Sequence, residues 1–420
     1  MLDIRLIREN PEVVRQSLLK RMDEIDFHDL LSWDRDRRSM IAEIDTLRET
    51  RNSASSRIGA MKQAKEDTAV LQARMKELSA KIKELETSLE AIEARIRSFL
   101  EALPNIPDPD VAAGSKERNQ VMTVWGTEPK FGFKPGDHVE LATNLGLIDY
   151  ERGVKLGGSG YWLYRGDGAR LEWALLNYFI ETHLADGYEF ILPPHILTYQ
   201  CGYTAGQFPK FVDDVFQLKG ENSFLLPTAE TAIINLHRDE LLTEDELPKR
   251  YFAYTPCYRR EAGSYRTEER GSVRGHQFNK VEMFVFTTPE GSDSVFEELV
   301  GKAQKLVQGL GLYHRVSKLA AGDTSASMAR TYDIEVWIPS MHEFKEVSSA
   351  SNARDYQARR GNIRFRRGST GRPEYLHTLN ASGLATSRLL PAILEQNQRA
   401  DGTVAVPQVL QKWLGKQSLG

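Results

Sequence analysis

From residue 40 onward, apolar positions recur in a regular series. Met40, Ile44, Leu47, Arg51, Ala54, Ile58 and Met61 are separated by steps of 4, 3, 4, 3, 4 and 3, and only Arg51 breaks the apolar run. After a polar stretch from Lys62 to Thr68, the spacing resumes in Leu71, Met75, Leu78, Ile82, Leu85, Leu89, Ile92, Ile96 and Phe99. Alternating steps of 4 and 3 place one narrow apolar seam along a helix. The pattern predicts two helices of roughly 30 residues, about 45 Å each, folded back as an antiparallel coiled-coil hairpin. Pro104, Pro107 and Pro109 then stop the second helix and make a stiff linker. This divides the chain into an N-terminal domain, 1–103, with its arm over about 30–100, a linker, 104–120, and a second domain, 121–420.

The second domain has a different rhythm. Short apolar runs at Phe190 to Leu192, Tyr251 to Tyr254, Val281 to Phe286 and Tyr332 to Trp337 predict strands. The last two alternate, as expected of an antiparallel sheet with two distinct faces. Helical stretches from Ala169 to Ala185 and Gly291 to Gly309 flank them, giving an α+β domain built on an antiparallel sheet. Gly157-Gly158-Ser159-Gly160 and Gly166-Asp167-Gly168 read as turns, because neither a Walker lysine nor a GxGxxG between strand and helix accompanies them. Glu282 and Glu346 lie in or beside strands, where a charge is costly unless paired or wet. With Arg259, Arg260, Glu261, Arg274 and Arg388 they predict a polar floor under a cleft. Guanidinium forks match phosphates, and carboxylates hold a metal or an amine, so such a floor suits a nucleoside triphosphate and an amino acid. Structural salt bridges would use the same residues.

Composition adds limits. Hydrophobic residues make up 40 % and charged residues 27 %, ordinary for a globular chain. The net charge is -4, so contact with nucleic acid requires a local basic patch. The arm offers one: between 51 and 76 stand Arg51, Arg57, Lys62, Lys65, Arg74 and Lys76 against Glu66 and Asp67. A projecting basic tip suits a phosphate backbone, although a solvated coiled coil serving dimerisation or scaffolding reads the same way. Two cysteines, Cys201 and Cys257, are too few for a four-thiolate zinc site or a disulfide framework, and a reducing cytoplasm is the expected setting. The first ten residues, MLDIRLIREN, hold charges inside their apolar run, unlike a secretory leader. No apolar stretch reaches about 18 residues, so no membrane span is expected.

Several longer segments resemble the seryl-tRNA synthetases of bacterial type, in the order that family shows them. Cys257-Tyr258-Arg259-Arg260-Glu261-Ala262-Gly263-Ser264, then Arg270-Gly271 and Arg274 to Glu282, is similar to their motif 2. Asn380 to Arg388 is similar to motif 3, and Thr228-Ala229-Glu230 to the loop that binds serine. Glu346-Val347-Ser348-Ser349 with Ser351-Asn352 resembles the segment that meets metal and ATP. Gly187-Tyr188 through Leu192-Pro193-Pro194 resembles motif 1.

The resemblance implies a class II serine–tRNA ligase. Such an enzyme makes seryl-adenylate from serine and ATP, then moves the seryl group to tRNA(Ser), with tRNA(Sec) as an alternative acceptor. Arg259 and Arg388 are implied as the catalytic arginines, on the α- and γ-phosphates. Thr228, Ala229, Glu230, Glu282 and Ser382 are implied for serine. Arg260, Glu261, Arg274, Gly275, Phe278, Val347 and Ser348 are implied for ATP, with Phe278 on the adenine. Glu346 and Ser349 are implied for Mg²⁺, with no zinc. Further implications are a homodimer through motif 1 and tRNA held by the arm. Some positions depart from the family's pattern: Gly275 stands for a larger apolar residue, Arg260 for a small one, Ala381 and Ser387 for glycines, and Tyr161 to Tyr164 differs too. None removes a catalytic group. They fit a divergent or duplicated copy.

Overall fold

The computed structural model describes residues 1–261 and 271–420. The chain forms two compact units, one of Leu2–Leu19 and Asp23–Leu103, the other of Pro104–Gly420 joined by Met1 and Lys20–Met22.

The first unit is dominated by two long helices, α1 (His28–Gln63) and α2 (Ala69–Ala102). At 36 and 34 residues they are longer than the heptad series alone predicts, about 54 and 51 Å at 1.5 Å per residue. The extra length of α1 is its first turns, which precede the regular seam. Ile44, Ile82 and Leu85 are buried between the helices, with Leu47 and Leu89 packed against them. Trp33 meets Phe99 edge-on at 6.2 Å, and Arg48 pairs with Glu86 at 2.7 Å. Residues early in α1 thus meet residues late in α2, which fixes the pair as antiparallel. Ile58, Met61, Leu71 and Met75, near the turn, are only half-buried. Two helices with no third partner cover one stripe each.

The second unit is built on an eight-stranded sheet. Its strands are β1 (Gln120–Trp125), β2 (Glu189–Ile191), β3 (Lys249–Tyr258), β4 (Gln277–Thr287), β5 (His314–Lys318), β6 (Arg330–Ile338), β7 (Glu343–Arg354) and β8 (His377–Ala385). Their order across the sheet is β1-β5-β6-β7-β8-β4-β3-β2. All neighbours are antiparallel except β2 and β3. Three helices, α3 (Asp167–Ala185), α4 (Ser292–Gly309) and α5 (Thr386–Gln396), share one core with Val281, Met283, Val285, Ile334 and Leu379. On β4 the alternate residues Phe284 and Phe286 enter a second core with Tyr251, Ile233 and Phe365. The two faces are distinct, as the alternation implies, but both are covered along most of β4.

One detail differs from the turn reading of the glycine-rich segments. Gly157 ends a helix, Tyr150–Gly157, and Asp167 and Gly168 begin α3. Gly168 is tied to close packing: a Cβ there would lie 2.0 Å from the carbonyl oxygen of Leu147.

Candidate active site

The end of β4 that escapes the second core carries the candidate chemistry. Phe278, Lys280 and Glu282 point to one face by the two-residue repeat, and Asn279, Val281 and Met283 to the other. A solvent-open cleft with about 540 Å³ of free space is lined by Arg259, Glu261, Arg274, Gly275 and Phe278 from β3 and β4 and their flanks. Glu346, Val347, Ser382 and Arg388 complete the assigned part of its wall. Val273, Lys280, Ala385 and Ser387 line it as well.

Arg259 comes just after β3, with its guanidinium 5.1 Å from the centre of the Phe278 ring and Nε donating to the Pro227 carbonyl at 3.2 Å. Arg274 Nε donates to Glu261 at 2.7 Å. Arg388, in the first turn of α5, donates to the Val273 carbonyl at 3.2 Å and the Glu346 carbonyl at 2.8 Å. Its guanidinium is 3.4 Å from the Glu346 carboxylate. Three arginines converge on one cleft, each held by an oxygen that restricts its rotamers. Such a preset array of cations suits a triphosphate.

Glu346 and Ser349 lie 3.0 Å apart. The Ser349 hydroxyl is also 2.7 Å from Asp333. Burial, then the nearby Glu346 charge, pushes Asp333 well above the usual carboxylate range. Burial opposes ionisation of Glu346 too, but Arg388 and Ser349 outweigh it and hold its carboxyl low. Glu346 therefore stays an anion beside a hydroxyl. Among the described residues no three or more His, Cys, Asp and Glu side chains gather as a metal cage. One carboxylate and one hydroxyl fit Mg²⁺, which usually takes few protein ligands and completes its shell with water and phosphate oxygens.

Beside this lies a buried polar cluster. The Lys280 ammonium pairs with Glu282 and donates to the Thr228 hydroxyl at 2.7 Å. Asn380 Nδ2 donates to Glu282 at 3.0 Å and to Glu230 at 3.3 Å. Ser382 Oγ donates to Glu282 at 3.3 Å, and Gln357 Nε2 to Glu230 at 2.7 Å. Burial, and then the charge of Glu282, pushes Glu230 up to about 7. Two carboxylates facing one ammonium leave room for a second cation, such as an amino acid's amine.

The other assigned residues are less central. Ala229 is wholly buried in the second core. Ser348 is buried and donates its hydroxyl to the Ser382 carbonyl at 2.7 Å, beneath the cleft floor. Arg260 is exposed and donates to the Asp213 carbonyl at 3.1 Å. Ala262 to Arg270, including the motif 2 loop Tyr265 to Glu269, lie outside the described residues. The family resemblance implies no role for Lys280, Asn380 or Gln357. Lys280 and Asn380 lie within motifs 2 and 3, and a lysine inside a strand is itself a signal. Gln357 has none, being brought in from a short helix, Tyr356–Gly361.

Two family descriptions match, Seryl-tRNA synthetase N-terminal domain over residues 1–107 and tRNA synthetase class II core domain (G, H, P, S and T) over 214–397. The chain is 64 % identical over 426 aligned residues to Serine–tRNA ligase 2 of Clostridium acetobutylicum, covering 100 % of both. The chain belongs to the seryl-tRNA synthetase family. It is 45 % identical to the Serine–tRNA ligase of Nitratidesulfovibrio vulgaris, covering 99 % of this chain and 98 % of that one. Among solved structures, seryl-tRNA synthetase from Pyrococcus horikoshii complexed with ATP superposes with a TM-score of 0.93. The two are 36 % identical, with 100 % of this chain and 99 % of that chain covered. The aminoacyl-tRNA ligase activity and class II antiparallel core expected from the motifs follow from this membership.

Proposed function

We propose that the cleft binds ATP along Phe278, Arg274, Arg259 and Arg388 and binds serine against Thr228, Glu230, Glu282 and Ser382. The observation that carries this is the adjacency of the arginine-lined cavity and the buried carboxylates Glu230 and Glu282, with Phe278 of the one and Glu282 of the other on the same face of β4. A serine carboxylate oxygen attacks the α-phosphorus of ATP, and the bond to the bridging oxygen breaks with release of pyrophosphate. A hydroxyl of the terminal tRNA ribose then attacks the seryl carbonyl, and AMP leaves. On this reading Arg259 neutralises the charge that builds at the α-phosphate, and Arg388 binds the γ-phosphate. In-line displacement needs positioning and neutralisation more than a protein base. Glu346 and Ser349 would hold Mg²⁺, which supplies charge neutralisation on the phosphates when bound. Buried polar partners for the serine hydroxyl reject alanine, which would leave them unpaired.

The arm, with its basic stretch between 51 and 76, is the tRNA-binding element. Exposed Leu184, Leu192 and Ile196, in and around the motif 1 segment, are apolar surface suited to a second copy of the chain. Among the described residues no helix is long and apolar enough to cross a membrane, and a cytoplasmic setting suits the substrates. Serine-dependent ATP–pyrophosphate exchange followed by charging of tRNA tests the reading. Exchange driven by another amino acid in place of serine, or none at all, would sink it.

A further inference from the structure

Glu172 lies on the face of α3 that enters the core, with Leu171, Leu175, Leu176 and Phe179 as buried neighbours on the helix. It is 3 % exposed. A carboxyl there is costly unless its partners repay the lost hydration. One oxygen, Oε1, accepts from Asn279 Nδ2 at 2.8 Å and from the Thr386 hydroxyl at 2.5 Å. The other, Oε2, has no hydrogen-bond partner. Burial pushes the group up to about 7. Such a half-satisfied group is poor value as a stability device, since an apolar side chain would fill the space.

Its partners explain its place. Asn279 lies between Phe278 and Lys280 on β4, facing away from the cleft. Thr386 is the first residue of α5, two before Arg388. The β8–β4 ladder is irregular between Ser382 and Ala385, so backbone pairing falters where motif 3 turns from strand to helix. The Thr386 hydroxyl also lies 3.2 Å from the Asn279 carbonyl, and the Tyr254 hydroxyl donates to Asn279 Oδ1 at 3.1 Å.

We infer that Glu172 is a positioning residue for ATP: from beneath the sheet it ties α3 to β4 and to the start of α5, holding Phe278 and Arg388 in mutual register. It touches no reactant and acts through Asn279 and Thr386. This rests on the reading that Phe278 and Arg388 receive ATP.

Calorimetric titration of the full chain with ATP and with serine, beside ATP–pyrophosphate exchange, tests it. Glu172→Ala and Thr386→Val should each weaken ATP binding about tenfold while serine binding stays within about twofold. Glu172→Gln and Thr386→Ser, which keep an acceptor and a donor, should restore the wild-type values. If Glu172→Ala does not fold, Thr386→Val carries the test. Equal losses for ATP and serine, or a lowered Tm with ATP binding unchanged, would overturn the proposal. Wild-type protein that binds no ATP would overturn the underlying reading as well; wild-type binding with unaltered variants would overturn this one alone.

Discussion

The arm and the cleft are specified in opposite ways. The arm is held by a repeated, local rule. Its inner part buries Ile44, Ile82 and Leu85, its outer part leaves Ile58 and Met61 half-covered, and neighbouring seam residues do the same job. The cleft is held by single contacts between distant segments. Glu282 meets Lys280 two residues away on β4, but also Asn380 and Ser382 from β8. Removing one member of a buried polar set strands the others, whereas shaving an exposed seam loses a little area. The arm should therefore tolerate substitution and matter as a whole, while the cleft should fail residue by residue.

The largest expected effect comes from deleting the arm. Without residues 30–100, tRNA charging should fall below detection while serine-dependent ATP–pyrophosphate exchange stays near wild type. Equal loss of both would make the arm a structural part of the activating unit and erase the contrast. Next is Arg259→Ala, which removes the guanidinium beside Phe278. Exchange should drop about 10²- to 10³-fold, the usual consequence of losing one preset donor to a transition-state oxyanion. A loss below tenfold would show that the other arginines share the load.

Gly275→Met comes third. A Cβ at 275 would lie 2.1 Å from Cζ3 of Trp162 and 2.7 Å from the Gly160 carbonyl oxygen. Two departures from the family's pattern, Gly275 and Trp162, are thus one packing solution, with the indole filling the space a larger residue at 275 would take. The methionine should cost about 1–3 kcal/mol of overpacking and raise the KM for ATP. Adding Trp162→Ala should recover part of both, read by Tm and exchange kinetics. No recovery would mean the two positions are independent.

The fourth effect is a pH dependence. Glu230 is pushed up to about 7 when serine is absent. Its neighbours are Glu282, Lys280 and Arg259. A raised carboxyl is largely protonated below pH 7. Serine's ammonium favours the anion, so binding releases a proton, and affinity should rise with pH. Between pH 6 and pH 8 the gain approaches about tenfold, set by the ionised fraction. Glu230→Gln should flatten the profile of serine KM against pH. A slope that survives in Glu230→Gln assigns the titration elsewhere.

The difference between the regions also decides what could be read in the chain. The seams from Met40 to Met61 and Leu71 to Phe99 mark antiparallel helices because their period is a direct image of the contact they make. Strands such as Tyr332 to Trp337 are visible for the same reason. Where polar residues carry the ladder, as from Glu343 to Arg354, no apolar run marks the full length of the strand. Residues of the cleft stood out only where they lay in long motifs. Asn380 and Gln357 bridge segments, and no local spacing reports that. Glu172 does carry a signal: it falls in register with Leu175, Leu176 and Phe179 on a helix face that is otherwise apolar up to His183. A lone acid on such a face is a reason to look for its partners across the fold.

The smallest predicted effect is the sharpest test of the contrast. Arg51 is the one charged residue in the seam of α1, and it is half-buried. If the arm served only to hold its own helices together, leucine would be the better residue there. Arg51→Leu should stabilise the arm by about 1 kcal/mol, the transfer free energy of a partly buried leucine side chain. Circular dichroism on thermal unfolding would read it. If the guanidinium also meets the tRNA backbone, the same variant should raise the KM for tRNA by about two- to fivefold and flatten its salt dependence slightly. Higher helix stability joined to weaker tRNA binding would show that the seam gives up packing for a phosphate contact, so that function is written into the arm by an exception to its period. Higher stability with unchanged tRNA KM would leave recognition to the exposed bases Arg57, Lys62, Lys65, Arg74 and Lys76. Lower stability would contradict the seam itself.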